Sequence, residues 1–122
     1  MTDRCQAGQV DRDCRGGVAD VSVVIVNWNG GAMLRRCLEH LSVQTLRPAV
    51  VWVVDNASSD GSADCIAGFP KCRLLSPGVN LGFAAGNNLA FRECTTEFVA
   101  LLNPDAFAEP DWLAALLAAA AA

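Results

Sequence analysis

Polar side chains that could bind a ligand follow three separate apolar runs of the sequence. The runs and the residues after them are 21–26 with Asn27 and Asn29, 50–54 with Asp55, and 98–102 with Asn103 and Asp105. A carboxylate at the end of a strand can accept hydrogen bonds from a ribose hydroxyl or a base N–H. It can also hold one magnesium ion together with a substrate diphosphate, because magnesium keeps several waters and needs few protein ligands.

The same residues also have a purely structural interpretation. Asp55, Ser58 and Asp60 are typical N-cap and turn residues, so they fit the start of the helix that would follow. Capping and ligand binding can coexist. Pro104 restricts Asn103 to extended backbone angles and therefore fixes the direction in which the next carboxylate points.

The pattern between these loops predicts an α/β fold with a mostly parallel sheet flanked by helices. Strands are expected at 21–26, 50–54, 72–75 and 98–102, and helices at 33–41, ending near Arg47-Pro48, at 62–69, within 82–94 and from 110 onward. Residues 1–20 lack apolar periodicity and form an expected flexible leader before one domain over 21–122. Ligands bind at the carboxyl ends of strands in such sheets, so the three polar loops should meet.

Composition excludes several classes of function. The net charge of -4 and the pI of about 4.7 give no broad basic surface for nucleic acid. The six cysteines form no C-x-x-C pair, which favours reduced, buried thiols over a zinc site. No run reaches the ~20 apolar residues of a transmembrane helix. The predicted location is the cytoplasm, with peripheral association at the inner face of the membrane as the alternative.

Phosphate-binding and hydrolytic motifs are also missing from the sequence. There is no G-x-G-x-x-G after the first strand and no G-x-x-x-x-G-K-[ST], so dinucleotide and P-loop sites lack their usual phosphate cradle. His40 is the one histidine, and charged neighbours predict that it lies on the helix surface rather than in a Ser-His-Asp triad.

Four segments together carry a resemblance to a known family. They are VVIVNWNG from Val23, VVDNASSDGS from Val53, NLGFAAGNN from Asn80 and LLNPDA from Leu101. In this order and spacing they resemble the inverting GT-A glycosyltransferases, and within these the rhamnosyltransferase-like branch. The resemblance spans residues 21–117 and implies a nucleoside-diphosphate-sugar donor, with a glycan or lipid-linked acceptor of the kind used in cell-surface polysaccharide synthesis.

The resemblance also assigns expected roles to individual residues. Asn27 and Asn29 match the loop that lines the nucleotide pocket, and Asp55 matches the acidic residue that contacts the nucleoside. Asp105 matches the last aspartate of the D-x-D metal motif, which implies a divalent cation, Mg²⁺ or Mn²⁺. Asn103 replaces the first acidic residue of that motif, as it does elsewhere in the rhamnosyltransferase-like branch.

Two more features follow from the resemblance. Asn87 and Asn88 are expected to contact the donor, although the glycines around them could instead allow close packing of a helix on the sheet. Trp28 stands where tyrosine is usual, a change expected to alter packing more than chemistry.

The implied reaction is displacement at the anomeric carbon, with inversion. Its general base is expected beyond Ala122, so that the fold is incomplete at the C-terminus and the chain supplies the donor-binding part. The alternatives are a nucleotide-sugar-binding module without catalysis and a structural α/β domain.

Overall fold

Four apolar runs form the strands of one parallel sheet. The computed structural model describes residues 17–121, and the strand order is β3-β2-β1-β4 with every pair parallel. The elements are β1 (Val18–Asn27), α1 (Ala32–Ser42), β2 (Arg47–Asp55), a 3₁₀ helix (Ser62–Gly68), β3 (Cys72–Leu75), α2 (Phe83–Phe91), β4 (Phe98–Leu101) and α3 (Trp112–Ala121). The predicted α/β class with a parallel sheet is confirmed.

Two apolar layers cover the sheet. On one face Val23 and Ile25 of β1 pack with Leu34 and Leu38 of α1 and with Leu113 of α3, all of them almost completely buried. On the other face the buried cluster is smaller, and it consists of Val24, Val54 and Ala90 with partly buried neighbours. Burial on both faces explains why β1 and β2 are continuous β-branched runs rather than alternating ones.

The first strand begins earlier and the first helix ends earlier than the sequence pattern predicts. β1 starts at Val18, inside the segment expected to be a leader, and the rest of that segment, 1–16, lies outside the described residues. Arg47 and Pro48, expected near the end of the helix, belong to β2. The β1–β2 register shifts between Ala19 and Ser22, next to the position opposite Pro48. A bulge there is physically reasonable because proline has no N–H to donate to the ladder.

β4 forms one edge of the sheet in the part of the chain that the structure describes. Phe98, Val99 and Leu101 are each at least a third exposed on it. Among residues 17–121, no helix has the length and apolarity needed to cross a membrane.

The cysteines of the described region are free thiols, but only Cys37 is fully buried, whereas the sequence pattern predicts buried thiols. These cysteines are Cys37, Cys65, Cys72 and Cys94, while Cys5 and Cys14 lie outside the described residues. Burial raises the pKa of the Cys37 thiol from 9.0 to about 12 and that of Cys72 to about 11. Both side chains therefore contribute to the core as small apolar groups.

These pKa shifts predict a loss of stability in alkali. Below pH 9 the Cys37 thiol is protonated in both the folded and the unfolded chain. Between about pH 9 and 12 the unfolded chain releases the proton and the folded chain keeps it, so the free energy of unfolding decreases. Urea unfolding at about pH 8 and about pH 11 should show a smaller decrease for Cys37→Ala than for the wild type. Equal decreases in the two proteins would contradict this assignment.

Candidate functional site

The carboxyl ends of β2, β1 and β4 lie side by side at one edge of the sheet. Asn27, the last residue of β1, stands opposite Asp55, the last residue of β2. On the other side of β1, Leu101 stands opposite Val24, and the backbone N–H of Leu102 donates to the Val24 carbonyl at 3.0 Å. The turn after β4 therefore leaves the sheet at the same edge, as the polar loops predict.

Asn27 holds the first two of these loops together. Its side chain is fully buried, and Nδ2 donates to Asp55 Oδ1 at 3.0 Å, to Ser62 Oγ at 3.0 Å and to Ser58 Oγ at 3.3 Å. Its backbone carbonyl accepts from the N–H of Asn56 at 2.8 Å. Because the side chain lies inside the loop, Asn27 supports the site from beneath, and its direct contact with a nucleotide stays a prediction.

The amide oxygen of Asn27 explains the glycine three residues later. Oδ1 is buried and has no hydrogen-bond partner in the structure. A Cβ atom added to Gly30 would lie 2.3 Å from it. The side chain of Asn27 cannot move away without losing its bonds to Asp55 and Ser62, so this position requires a residue without a Cβ.

Gly30→Ala should therefore destabilise the protein by about 1–3 kcal/mol, the range for overpacking a well-packed interior. Gly68→Ala is the matched control, because an added Cβ there meets no atom within 4 Å and the backbone needs no positive φ. Thermal unfolding should show a lower midpoint for the first variant and little change for the second. If both variants unfold at the same temperature, the contact between Gly30 and Asn27 does not constrain this position.

The carboxylate of Asp55 is held in place but remains half-buried. Oδ1 accepts from the Ser58 hydroxyl at 2.6 Å as well as from Asn27, and Oδ2 accepts from the Ser58 N–H at 3.3 Å. Such contacts fix the rotamer of a charged side chain at low entropic cost to a later ligand. Capping and site formation coexist here, since Ser58 closes the local turn and also orients the carboxylate.

The loop after β1 is fastened to the loop after β2. The N–H of Asn29 donates to Ser58 Oγ at 2.8 Å, and Asn29 Oδ1 accepts from the N–H of Ser59 at 2.8 Å. Asn29 adopts a positive φ of 51°, a conformation that asparagine tolerates better than most residues. The expected contact of Asn29 with a nucleotide stays a prediction, and the structure adds a clear local function for its amide.

The carboxylate of Asp60, in the loop after β2, lies at the N-terminal end of α1. Its Oδ2 accepts from the N–H of Gly31 at 3.0 Å, and Oδ1 accepts from the N–H of Ser62 at 2.9 Å. Hydrogen bonds from Ser62 and Gly31 lower the pKa of this carboxyl. The Ser62 side chain has the largest effect, followed by the Ser62 backbone N–H. The partial positive charge at this helix end is therefore already matched by an anion.

Trp28 projects from the loop between the two asparagines. Its side chain is 59% exposed, and the expectation that tryptophan here alters packing more than chemistry stays a prediction. An exposed indole can stack on a planar ligand.

The glycine-rich segment that leads into α2 and forms its first turns packs closely against the same edge. Asn56 is buried, and its amide accepts from the N–H of Leu81 at 3.3 Å and donates to the carbonyl of Gly82 at 3.1 Å. A Cβ on Gly86 would lie 3.1 Å from Val26. These contacts agree with the close-packing interpretation of the glycines.

The two asparagines of α2 differ in their environment. Asn87 is 5% exposed and donates from Nδ2 to the carbonyl of Phe83 at 3.1 Å, whereas Asn88 is exposed. The amide of Asn87 is thus already bonded to its own helix. Donor contact by either residue stays a prediction.

The turn after β4 presents Asn103 and Asp105 to solvent. The Asn103 carbonyl accepts from the N–H of Ala106 at 3.0 Å and from Cys37 Sγ at 3.7 Å. Within residues 17–121 no group of three or more histidine, cysteine or acidic residues is placed so that it could hold a metal ion. One exposed carboxylate fits a hard divalent cation only if most of the remaining ligands are waters and substrate oxygens, which is the usual arrangement for Mg²⁺.

An apolar cavity of the described region lies away from these loops. It has a volume of about 310 Å³, lies between α1, β2 and the residues before β3, and is lined by Leu38, Leu41, Val51 and Phe69 among others. It contains none of the polar strand-end residues. The candidate site is therefore defined by its polar strand-end groups and not by this cavity.

The sequence pattern indicates Ser58 only as a capping residue and does not single out Ser62, Asn56 or Gln44. The spacing of Ser58 three residues after Asp55 is typical of a local side-chain turn and could have indicated their contact. Nothing in the local sequence indicates that Asn56 bridges to residues 81 and 82, because that contact depends on the tertiary position of α2.

Comparison with known proteins defines the class. Residues 22–122 match the model of glycosyl transferase family 2, and the chain belongs to this family. An N-acetylglucosaminyl-diphospho-decaprenol L-rhamnosyltransferase of Mycobacterium tuberculosis is 34% identical over 110 residues, which cover 80% of this chain and 36% of the relative. A pre-mycofactocin glycosyltransferase of the same species is 36% identical over 100 residues, covering 80% and 20% of the two chains.

Solved structures show the same fold. S. aureus TarS in complex with UDP superposes with a TM-score of 0.73 at 22% identity, over 80% of this chain and 31% of that one. The mannosyltransferase PcManGT of Pyrobaculum calidifontis, solved with GDP-Man and Mn²⁺, gives a TM-score of 0.67 at 25% identity, over 78% and 32%. The described sheet is thus the N-terminal part of a GT-A glycosyltransferase fold. This chain spans about a third of the length of the rhamnosyltransferase that it matches.

Proposed function

We propose that this chain binds the nucleoside-diphosphate-sugar donor of a glycosyltransferase that transfers a sugar to an acceptor hydroxyl with inversion. The observation that carries the proposal is the half-buried Asp55 carboxylate, oriented by Asn27 and Ser58 at the carboxyl end of the sheet. A fixed acceptor at this position suits the N–H of a base or a ribose hydroxyl, because charge-assisted hydrogen bonds are strong and directional.

The donor is proposed to span the edge from β2 to β4. The nucleoside would lie against Asp55 and the exposed indole of Trp28, and the diphosphate would extend toward Asn103 and Asp105. Asp105, with Asn103 beside it, would hold a divalent cation, which supplies Lewis-acid stabilisation of the departing diphosphate when it is bound. PcManGT, a relative in fold, was solved with GDP-Man and Mn²⁺, which supports testing Mn²⁺ first.

In the proposed reaction the acceptor hydroxyl oxygen attacks the anomeric carbon as the bond from that carbon to the diphosphate oxygen breaks. The hydroxyl proton passes to a general base, and the nucleoside diphosphate leaves with the electron pair. We assign that base to none of the residues of this chain. The residues of this chain act by binding and orienting the donor, which contributes through positioning.

Rhamnose is the sugar we propose. The relative from M. tuberculosis is named as a rhamnosyltransferase acting on N-acetylglucosaminyl-diphospho-decaprenol. A lipid-linked glycan is accordingly the acceptor we propose, at the cytoplasmic face of the membrane.

The proposal is tested by calorimetric titration of the chain with UDP and dTDP, each with Mn²⁺ and with a chelator. We expect saturable binding of at least one nucleotide, and tighter binding with Mn²⁺. Inorganic diphosphate is the control for binding through the phosphates alone. Absence of binding heat with both nucleotides would overturn the proposal.

Trp28→Ala should weaken nucleotide binding, since stacking of a base on an aromatic side chain contributes about 1–3 kcal/mol. That range corresponds to a loss of affinity of about 5- to 150-fold. Trp28→Phe should retain most of the affinity, because phenylalanine keeps an aromatic face. The side chain is exposed, so neither change should lower the unfolding temperature much. Equal affinities for the alanine variant and the wild type would exclude stacking on Trp28.

A further inference from the structure

A buried glutamine joins the end of α1 to the segment that carries Asp105. Gln44 is 3% exposed. Its Nε2 donates to the carbonyl of Glu109 at 2.7 Å and to that of His40 at 3.3 Å, and its Oε1 accepts from the N–H of Leu113 at 3.0 Å. One amide thus satisfies a carbonyl of α1, a carbonyl of the segment after β4 and an N–H in the first turn of α3, which has no partner within its own helix.

More contacts hold the same segment against α1 and the residues just after it. They are Thr45 N–H to the Pro110 carbonyl at 2.9 Å, His40 Nδ1 to the Ala108 carbonyl at 3.2 Å, and the Arg36 guanidinium over the Phe107 ring at 4.3 Å. Since a carbonyl can only accept, Nδ1 of His40 carries the hydrogen in this contact. His40 is half-buried against this segment, which corrects the expectation that it lies on the surface.

Asp105 lies in a segment whose backbone is anchored on both sides. On one side Leu102 is bonded to β1 through the Val24 carbonyl, and on the other side Leu113 is bonded to Gln44. The exposed carboxylate of Asp105 lies between them, and Pro104 restricts the backbone beside it. The position of this carboxylate therefore depends on contacts that lie several residues away from it.

We infer that Gln44 is a positioning residue for Asp105: it sets the path of residues 103–113 so that the carboxylate faces the site at the end of β1. The inference rests on the proposed function for the consequence in nucleotide binding. Its structural part, the ordering of the turn that carries Asp105, can be measured without any ligand.

The first measurement is amide hydrogen exchange in Gln44→Met, a variant of similar size that cannot donate or accept these bonds. The N–H of Ala106, bonded to the Asn103 carbonyl at 3.0 Å, reports on the turn. We expect its exchange to be about tenfold faster or more in the variant, because the loss of Gln44 leaves buried groups unpaired at the end of the segment. Unchanged exchange at Ala106 would overturn the inference, whatever the nucleotides do.

The second measurement is the ratio of UDP affinities with Mn²⁺ and with a chelator. Gln44→Met should lower this ratio toward one, whereas Val51→Ala, a buried change in β2 away from the segment, should lower only the unfolding temperature. If the ratio of affinities falls equally in both variants, the effect is one of general destabilisation. That result would overturn the inference.

A milder variant covers the case in which Gln44→Met does not fold. Thr45→Val removes the exposed bond from Thr45 Oγ1 to Asp111 Oδ1 at 2.8 Å and keeps the shape of the side chain. It should increase exchange at Ala106 by a smaller factor and leave the core intact, and no increase would count against the inference. A wild-type chain that binds neither UDP nor dTDP would refute the proposed function, while the exchange data would still decide whether this anchor orders the turn.

Discussion

Replacing Asp55 by asparagine should weaken the binding of UDP by about 10- to 100-fold. A hydrogen bond to a charged partner contributes about 1.5–3 kcal/mol, and each 1.4 kcal/mol corresponds to a tenfold change in affinity. The loss should affect the nucleoside rather than the phosphates. Affinity for inorganic diphosphate should therefore stay the same, which separates Asp55 from the residues proposed to act on the diphosphate.

The fold should tolerate this substitution. Asparagine keeps one oxygen that can accept from Asn27 Nδ2 and the Ser58 hydroxyl, the bonds that now hold Asp55 Oδ1 at 3.0 and 2.6 Å. Only the longer contact from the Ser58 N–H to Oδ2, at 3.3 Å, would meet an amide nitrogen. We expect a stability loss of about 1 kcal/mol.

Asp64→Asn is the matched control. Asp64 is an exposed aspartate in the first turn of the 3₁₀ helix, so the variant has the same change of net charge without touching the strand-end loops. Calorimetry should give wild-type affinity for this control. If both variants lose affinity equally, the effect comes from the overall charge and Asp55 does not contact the nucleoside.

The sheet could be predicted from the sequence because burial on both faces leaves a simple pattern. β1 and β2 are apolar runs bounded by polar loops, and β3 occurs at the predicted residues. Their parallel arrangement follows from the helices between them. The start of β1 at Val18 was not predictable in the same way, because residues 18–20 carry no apolar pattern and pair with β2 only through a bulged register.

The candidate site could be predicted to the level of the loops but not to the level of contacts. Strand ends that share one edge bring Asn27 and Asp55 together, and the sequence predicts this meeting from the fold class alone. It does not predict that Asn27 is buried beneath the loop while Trp28 is exposed on it. That distinction depends on the local path of residues 28–31, including the tight approach of Gly30 to Asn27 Oδ1.

The role of Gln44 could not be predicted from the sequence for a different reason. It follows a helix in a stretch that the pattern leaves unassigned, and two of its three partners, the Glu109 carbonyl and the Leu113 N–H, are close in space only after α3 has packed on α1. Hydrogen bonds between residues 65 and 69 positions apart leave no local signal in a single sequence. A buried glutamine of this kind is recognised only when the backbone groups it satisfies are known.

Asp105→Asn should remove the dependence of nucleotide binding on metal. In the proposed site this carboxylate is the one charged protein ligand of the cation, and amide oxygen is a weaker ligand for a hard ion than carboxylate. Even the residues that support a metal ligand change affinity by about 10–100-fold when they are replaced, so we expect at least that loss for the ligand itself. Affinity measured with a chelator should not change.

The control for Asp105→Asn is Glu109→Gln, an exposed residue four positions further along the chain. Both changes remove one negative charge, but the Glu109 side chain is not proposed to face the diphosphate, and only the backbone carbonyl of Glu109 is bonded to Gln44. Titration with UDP at increasing Mn²⁺ should give the wild-type metal response for Glu109→Gln and a flat response for Asp105→Asn. Because Asp105 is exposed and outside the core, thermal unfolding without ligand should be nearly unchanged. A wild-type metal response in Asp105→Asn would show that the cation, if it binds, is held by other groups.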